Sequence, residues 1–278
     1  MVEIDRRLFV GSIGIDSSTE LNKFTFTFTI PVVREIVGEM GSGGKPVENV
    51  KTIASTITDA ERNLSLRLNR DIYFEHMRII ILSEDVVKND LSDVLNSFMR
   101  QTEYNRRSRV AICPGKASNV LDVTPWVEKL RADYLESIFG NITSSGKLID
   151  KDLGDFLHDL NTFKGNTLVS KITPNNTEVS IGGAAVIKDY RLVGWLSEEE
   201  TQGVNIFTGK FRGGNIVVQD EDIGEVTFTI LGAKPKLSII STGEVPEFVL
   251  KVDVNANISS TSRTIVLDLD NIEIMGNL

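Results

Sequence analysis

Residues 38 to 46, GEMGSGGKP, set four glycines and a lysine within nine positions, the composition of a loop that wraps a phosphate. That chemistry needs G-x-x-x-x-G-K-[ST], with backbone N–H groups and the N-terminus of a following helix turned toward the phosphates. Gly44-Lys45 fits the end of the motif, but the position five before Gly44 is Glu39, and Pro46 stands where Ser or Thr should hold the metal. The VENVKTI that follows is β-branched rather than helical. The segment is therefore expected to be a glycine-rich connection between two strands, mobile at Gly41 to Gly44, and no cofactor is assigned to the chain.

Histidine chemistry has two candidates, His76 and His158. His158 lies off the apolar stripe of its helix and reads as a surface residue. His76, in YFEHMRIII, is either a polar residue satisfied at the end of a strand or part of a site. Neither the nucleophile elbow G-x-S-x-G nor the zinc signature H-E-x-x-H occurs. Paired carboxylates could hydrolyse a glycosidic bond, and Glu198-Glu199-Glu200 and Asp220-Glu221-Asp222 qualify by type. Adjacent acids in a cap or turn are usually solvated, and no catalytic residue or metal site is assigned. Cys113 is the sole cysteine, so no intrachain disulfide and no cysteine zinc cluster can form. Following Val110-Ala111-Ile112, it reads as a buried structural thiol.

The net charge of -9 and pI near 4.9 exclude the Lys/Arg surplus on which nucleic-acid binding depends. The acidity is uneven: residues 171–278 hold 9 Lys and Arg against 15 Asp and Glu, a balance of -6 that marks a compositional break near residue 170. No run approaches the twenty apolar residues of a spanning helix, and MVEIDRRLFVG lacks the basic start and apolar middle of a signal peptide.

The elements that must position these residues divide at the same break. KFTFTFTI alternates Phe24, Phe26, Phe28 and Ile30 with threonines and is the clearest strand, preceded by a second strand in RLFVGSIGID. A helix over 58–70 is expected from the capping-box spacing of Thr58 and Glu61 and the repeat of Ile57, Ala60, Leu64 and Leu68. MRIIIL is a buried strand, 85–101 one amphipathic helix, and RVAIC another strand, together a βαβ unit with parallel strands. Two helices follow. The first is capped by Thr124 with Pro125 at its start and buries Trp126, Leu130, Tyr134 and Ile138; the second begins at Asp150 and buries Leu153, Phe156, Leu157 and Leu160. The remainder reads as strands: TEVSIGGAAVI and YRLVGWL turning at Lys188-Asp189, a short helix capped by Ser197, then NIVV, EVTFTILG, KLSII, EFVLKVDVNANI and RTIVLDLDNIEI. The expected fold class is mixed α+β: an N-terminal α/β domain over 1–170, with a βαβ unit and a mixed sheet, and a mainly antiparallel β domain with one short helix over 171–278.

The middle of the chain carries eight arginines between Glu61 and Arg109. Arg100, Glu103, Arg106 and Arg107 follow the amphipathic helix, where guanidinium forks can pair carboxylates in two-pronged fashion. They form either an internal ion-pair network, with Arg100 and Glu103 bonded locally, or a polar protein-contact surface.

Five motifs in order carry a family resemblance. EIDRRLFVGSIGID is similar to the start of the Ger(x)C family, the C-type lipoprotein subunits of bacterial spore germinant receptors, and FTFTFTIP to its second strand. RLNRDIYFEHMRIIILSE resembles the family segment through Arg70, Tyr73, Phe74, His76 and Glu84. SFMRQTEYNRRSRVAICPGKASNVL resembles its F-x-R-x-x-E-x-R block through Phe98, Arg100, Glu103 and Arg106, and GGAAVIKDYRLVGWLSEEETQGVNIFTG the opening of its second region. The resemblance implies a non-enzymatic subunit, tethered outside the spore inner membrane by a lipid on an N-terminal cysteine and working with A-type and B-type membrane subunits. It implies no catalytic residue, and a structural-network or contact role for Arg70, His76, Glu84, Arg100, Glu103 and Arg106. The lipid-bearing cysteine, its signal peptide and the family's third domain are not in this sequence, which is expected to be a soluble piece spanning the first two domains. Two other readings stay open, a cell-envelope small-ligand sensor using the N-terminal region and a glycan hydrolase acting on the spore cortex.

Overall fold

A computed structural model describes residues 7–32, 47–89, 91–100, 103–125, 131–140, 145–220, 224–241 and 246–262. The chain is mixed α+β and divides into two compact units, Met1–Gly140 with Leu148–Ser197, and Asn141–Lys147 with Glu198–Leu278. These units part later in the chain than the compositional break at residue 170, because the strands after the break stay in the first sheet.

In the first unit, β1 (Arg7–Phe9) pairs in parallel with β5 (Asp71–Tyr73) as a small ribbon. The main sheet joins β2 (Ser12–Ser17), β3 (Phe24–Pro31), β4 (Val47–Ala54), β6 (Ile79–Ser83), β7 (Arg109–Cys113), β8 (Thr167–Pro174), β9 (Val179–Lys188) and β10 (Arg191–Leu196). Their spatial order is β10-β9-β8-β7-β6-β2-β3-β4. The four central strands β2, β6, β7 and β8 run parallel, and an antiparallel pair closes each edge. The expected single strand over RLFVGSIGID is thus two. The Val10 N–H turns to the Tyr73 carbonyl and the Gly11 N–H to the Thr29 carbonyl, so the chain changes partner between them.

Both faces of this sheet are covered. On one, Ile13, Ile15, Phe26, Phe28, Ile80 and Val110 meet helices α1 (Ile57–Leu68), α2 (Glu84–Asn89), α3 (Leu91–Arg100) and α6 (Leu153–Thr162) in one apolar core. On the other, α4 (Ala117–Asp122) and α5 (Arg131–Phe139) pack. There Thr27 and Thr29 are buried, and Gly14 lets α4 close in, since a Cβ at that position would stand 2.9 Å from a Leu121 methyl. Asn49 ties the two layers: its amide donates to the Leu121 carbonyl and Asp122 Oδ1, both at 2.8 Å, and its Oδ1 accepts from Thr29 Oγ1 at 2.9 Å.

Four helix expectations need correction, each for a physical reason. α1 starts one residue early, at Ile57, with its cap two positions before the expected Thr58: Thr56 Oγ1 accepts from the Asp59 N–H at 3.2 Å, and Asn69 in the left-handed region ends the helix. Both Thr56 and Thr58 have an acid three positions on, and starting at Ile57 is what buries Ile57 together with Ala60 and Leu64. The expected single helix over 85–101 is two, α2 and α3, because the Leu91 N–H donates at 3.0 Å to the Tyr190 carbonyl. The turn that supplies this carbonyl is Asp189-Tyr190, one residue beyond the expected Lys188-Asp189; both residues have positive φ, the geometry of a two-residue hairpin turn. In α5 the buried side chains are Leu135 and Phe139, one position off the expected Tyr134 and Ile138, while Trp126 and Leu130 lie outside the described residues. α6 is capped by Asp152, whose Oδ1 accepts from the Asp155 N–H at 2.8 Å, rather than beginning at Asp150, and it buries the four side chains expected of it.

In the second unit, α7 (Glu198–Phe207) accompanies an antiparallel sheet of β11 (Gly214–Asp220), β12 (Gly224–Ser241) and β13 (Glu247–Thr261). EVTFTILG and KLSII, expected as two strands, are one 18-residue strand. The intervening Gly232 and Pro235 suggest a turn, but β11 pairs only with Gly224–Ile230, so among the described residues the strand has a neighbour on one side only at Pro235, where a missing donor is tolerated. α7 buries polar side chains. Gln202 Nε2 donates to the Ser145 and Asn215 carbonyls at 3.2 and 3.3 Å, and Asn205 Nδ2 to the Gly146 carbonyl at 2.8 Å. Gly146, at φ 62°, sits so close to Phe211 that a Cβ would come within 2.4 Å of the ring. The strand expected in RTIVLDLDNIEI and the glycine-rich GEMGSGGKP both lie outside the described residues.

Candidate functional site

The six residues singled out from the sequence fall on the first unit, in four surroundings. Arg70 follows the Asn69 cap of α1 and borders a surface groove with Glu61, Arg62 and Asp71. His76 is exposed, sets its ring edge-on to Phe9 at 4.9 Å, and borders a small cleft of about 200 Å³ with Gly11, Pro31 and Arg78. Arg78 reaches Asp133 at 3.7 Å and Glu136 at 3.4 Å, which cancels its charge at that cleft. Glu84 opens α2 and accepts from Lys88 Nζ at 2.8 Å. The Lys88 ammonium holds the Glu84 carboxyl below the usual carboxylate range against the opposing effect of burial, and a hydrogen bond with Trp195 acts in the same direction as Lys88.

Arg100, Glu103 and Arg106 are all exposed. Among the described residues no ion pair or hydrogen bond joins Arg100 to Glu103, so the expected local pair is not formed. Glu103 acts at longer range: burial, and next the Glu103 charge, push the Glu61 carboxyl up, against the pull of Arg62. The backbone of this block is structural, since the Arg106 carbonyl accepts the Gly154 N–H at 2.9 Å and the Ser108 carbonyl the Leu153 N–H at 2.8 Å, at the start of α6.

Buried groups in the same stretch hold it in place. Tyr104 lies between Phe74 and Phe98, at ring distances of 5.0 and 4.8 Å, and burial pushes its phenol far above the usual value. Ser108 Oγ bridges to the Met77 and Asn105 carbonyls, both at 2.8 Å. Arg109 forms an ion pair with Asp150 and stands over the Phe139 ring at 5.8 Å. Three further polar groups were not singled out from the sequence. The buried Lys151 ammonium meets Asp159 and donates to Thr167 Oγ1 at 2.5 Å. The buried Asp16 carboxylate accepts the Ala117 and Ser118 N–H groups of α4 at 2.6 and 3.0 Å. Ser170 Oγ bonds both backbone groups of Ile149. No local pattern marks partners that are up to 102 positions apart in the chain.

The remaining chemical candidates have structural surroundings. Glu198 and Glu199 lie in the first turn of α7, where acids are favoured, and face Lys147 at 3.2 and 4.0 Å; Glu221 and Asp222 lie outside the described residues. His158 is exposed, 3.4 Å from Thr162 Oγ1. Among the described residues no three His, Cys, Asp or Glu side chains group closely enough to hold a metal ion, and no helix is long and apolar enough to cross a membrane. Cys113 is fully buried at the end of β7, and burial, with the nearby Asp16 and Glu84 charges, pushes its thiol up to about 12. Because the thiolate is the reactive form, iodoacetamide at pH 8 is expected to leave the folded chain unlabelled and to modify Cys113 fully in urea; rapid labelling of the folded protein, read by mass spectrometry, would contradict this environment.

Comparison with known proteins agrees over the length of the chain. Residues 1–174 match the family model described as spore germination protein N-terminal domain, and residues 182–277 the model described as spore germination B3/GerAC like, C-terminal. Spore germination protein B3 of Bacillus subtilis (strain 168) is 25% identical over 97% of this chain, which covers 75% of that protein. Spore germination protein A3 of the same organism is 24% identical over 77% of the chain, covering 57% of that protein. The crystal structure of the GerBC protein superposes with a TM-score of 0.57 at 19% identity, over 95% of this chain and 76% of that one, and shows the same fold. Two family models in succession, over nearly every residue and on the fold of a solved relative, lead to one conclusion: the chain belongs to the spore germination B3/GerAC-like family.

Proposed function

We propose that the chain is the non-enzymatic C-type subunit of a spore germinant receptor, a scaffold that acts through protein contacts with A-type and B-type membrane subunits. In the full-length protein a lipid on an N-terminal cysteine holds it to the outer face of the spore inner membrane. The observation that carries this reading is the in-order match of both germination-family models across residues 1–174 and 182–277. The exposed guanidinium groups of Arg100 and Arg106 support it, because arginine suits two-pronged recognition of a partner's carboxylates.

Co-purification of the full-length, lipidated protein with A- and B-type subunits from detergent-solubilised spore membranes tests the proposal. Association is expected, and the double charge reversal Arg100→Glu/Arg106→Glu should reduce the recovered partners several-fold with the thermal midpoint of the isolated chain unchanged. Absence of association in every detergent would overturn it. A second reading, a small-ligand sensor, rests on a polar groove of about 980 Å³ whose wall includes Ser17, Asn22, Ser55, Asn96 and Arg100. Heat on titration with small polar nutrients, abolished by Arg100→Ala, would favour that reading instead.

A further inference from the structure

Helix α2 is only six residues long, and the β9–β10 hairpin holds it at both ends. At its start the Glu84 carboxylate accepts a hydrogen bond from the Trp195 indole of β10. Just past its end the Leu91 N–H, which opens α3, donates at 3.0 Å to the Tyr190 carbonyl in the β9–β10 turn. The local sequence favours a different arrangement. Val87, Leu91, Val94, Leu95 and Phe98 recur at helical spacing across the break, and all five are buried. One helix from Glu84 to Arg100 would keep this stripe on the core, and its Leu91 N–H would bond the Val87 carbonyl instead of Tyr190.

The competing carbonyl is delivered by a strained turn. Asp189 and Tyr190 stand at φ 50° and 62°, a region that a bulky side chain rarely enters. Neighbouring groups keep the turn there: the Tyr190 N–H donates to the Gly165 carbonyl at 3.0 Å, the Tyr190 hydroxyl to the Leu160 carbonyl at 3.3 Å, and the Asp189 N–H to Asn166 Oδ1 at 3.3 Å. Gly165, at φ 85°, lies so close to the Tyr190 ring that a Cβ would come within 2.5 Å of it. Strain of this kind persists only where the surroundings over-determine it, and it gathers in clamps and switches. Both sides of the break also wall one groove, Asn89 from α2 and Asp93, Asn96 and Arg100 from α3.

We propose that the β9–β10 hairpin is a latch that holds α2 and α3 apart, and that its release joins them into a single helix and re-aims Arg100. Two discrete arrangements then compete for one backbone donor, which makes the element bistable rather than loosely mobile. Latched, the Leu91 N–H belongs to Tyr190; released, the turn leaves the left-handed region and the donor returns to the helix. A partner or ligand that holds Arg100 better in one position of α3 than in the other shifts the balance by that difference in affinity. This coupling rests on the contact role proposed for Arg100, whereas the two states are a property of the chain alone.

Double electron–electron resonance between spin labels at Asp85→Cys and Met99→Cys, both exposed positions on the two helices, is the test; Cys113 is buried and stays unlabelled. Fourteen residues of unbroken helix set the two Cα atoms about 21 Å apart. The parent should show chiefly a second, latched separation. Gly165→Ala, which displaces the Tyr190 ring, should move most of the distribution to about 21 Å. Trp195→Phe, which removes the bond to Glu84, should move a smaller part, and it decides the matter if Gly165→Ala fails to fold. Adding Ser92→Pro, in the first turn of α3 where proline is tolerated but inside a single helix where it is not, should restore the latched separation. Folded release variants that keep the parent's distribution overturn the latch, and so does a parent already at about 21 Å. A shift in the release variants without any change in the recovery of partner subunits keeps the latch and rejects its coupling to Arg100.

Discussion

Replacing Asp159 with alanine is expected to lower the unfolding free energy by about 3 kcal/mol, the lower part of the range measured when one partner of a buried ion pair is removed. Lys151 is 5% exposed, and its ammonium lies between the Asp159 carboxylate and Thr167 Oγ1; the Thr167 hydroxyl in turn donates to Asp159 at 3.0 Å. Asp159→Ala removes the carboxylate from this triangle and leaves a desolvated ammonium without it. Through the Thr167 hydroxyl this triangle joins α6 to the first residue of β8, so the change is felt where a helix meets the central sheet. For a chain of this size the thermal midpoint should fall by roughly 6–12 °C. The double replacement Lys151→Met/Asp159→Leu, which removes both charges and keeps the volume, should recover most of the loss. Chemical denaturation of the three proteins decides the matter: a loss below about 1 kcal/mol in the single variant would show that Lys151 is neutralised in another way.

Asp16→Ala should cost about 2 kcal/mol, from two charge-assisted hydrogen bonds lost and two helix N–H groups left without their acceptor. The Asp16 carboxylate is buried at the end of β2 and holds the first N–H groups of α4, where a negative charge also meets the positive end of the helix. Asn at this position keeps one acceptor oxygen and loses the charge, so Asp16→Asn should fall about midway. Hydrogen exchange gives the local readout: the Ala117 and Ser118 amides should lose protection by more than the global destabilisation accounts for. An even loss across the sheet would mean that Asp16 contributes only bulk.

The first unit was legible wherever its signals were local. Phe24 to Ile30 alternates strictly and is a strand; Leu153, Phe156, Leu157 and Leu160 repeat at helical spacing and are buried in α6; β6 and β7 are parallel, as the strand-helix-strand order requires. The misses occur where a distant group competes for a backbone donor. The Leu91 N–H could have continued a helix, and the Tyr190 carbonyl takes it; the Val10 and Gly11 N–H groups could have continued one strand, and Tyr73 and Thr29 divide them. The candidate residues follow the same rule. Arg100, Glu103 and Arg106 are close in sequence and yet form no pair, whereas Asp16 with Ala117 and Lys151 with Asp159 are bonded by the fold.

By itself the sequence determined the element types, the α+β class, the burial of Cys113 and, through five ordered motifs, the family. These follow from side-chain periodicity and residue type, which a chain carries along its own length. Only the tertiary structure decided where helices begin and break, and which charges are buried and paired. Those outcomes depend on hydrogen-bond partners and covering surfaces supplied by segments far away in the chain, and no local pattern records which segment arrives.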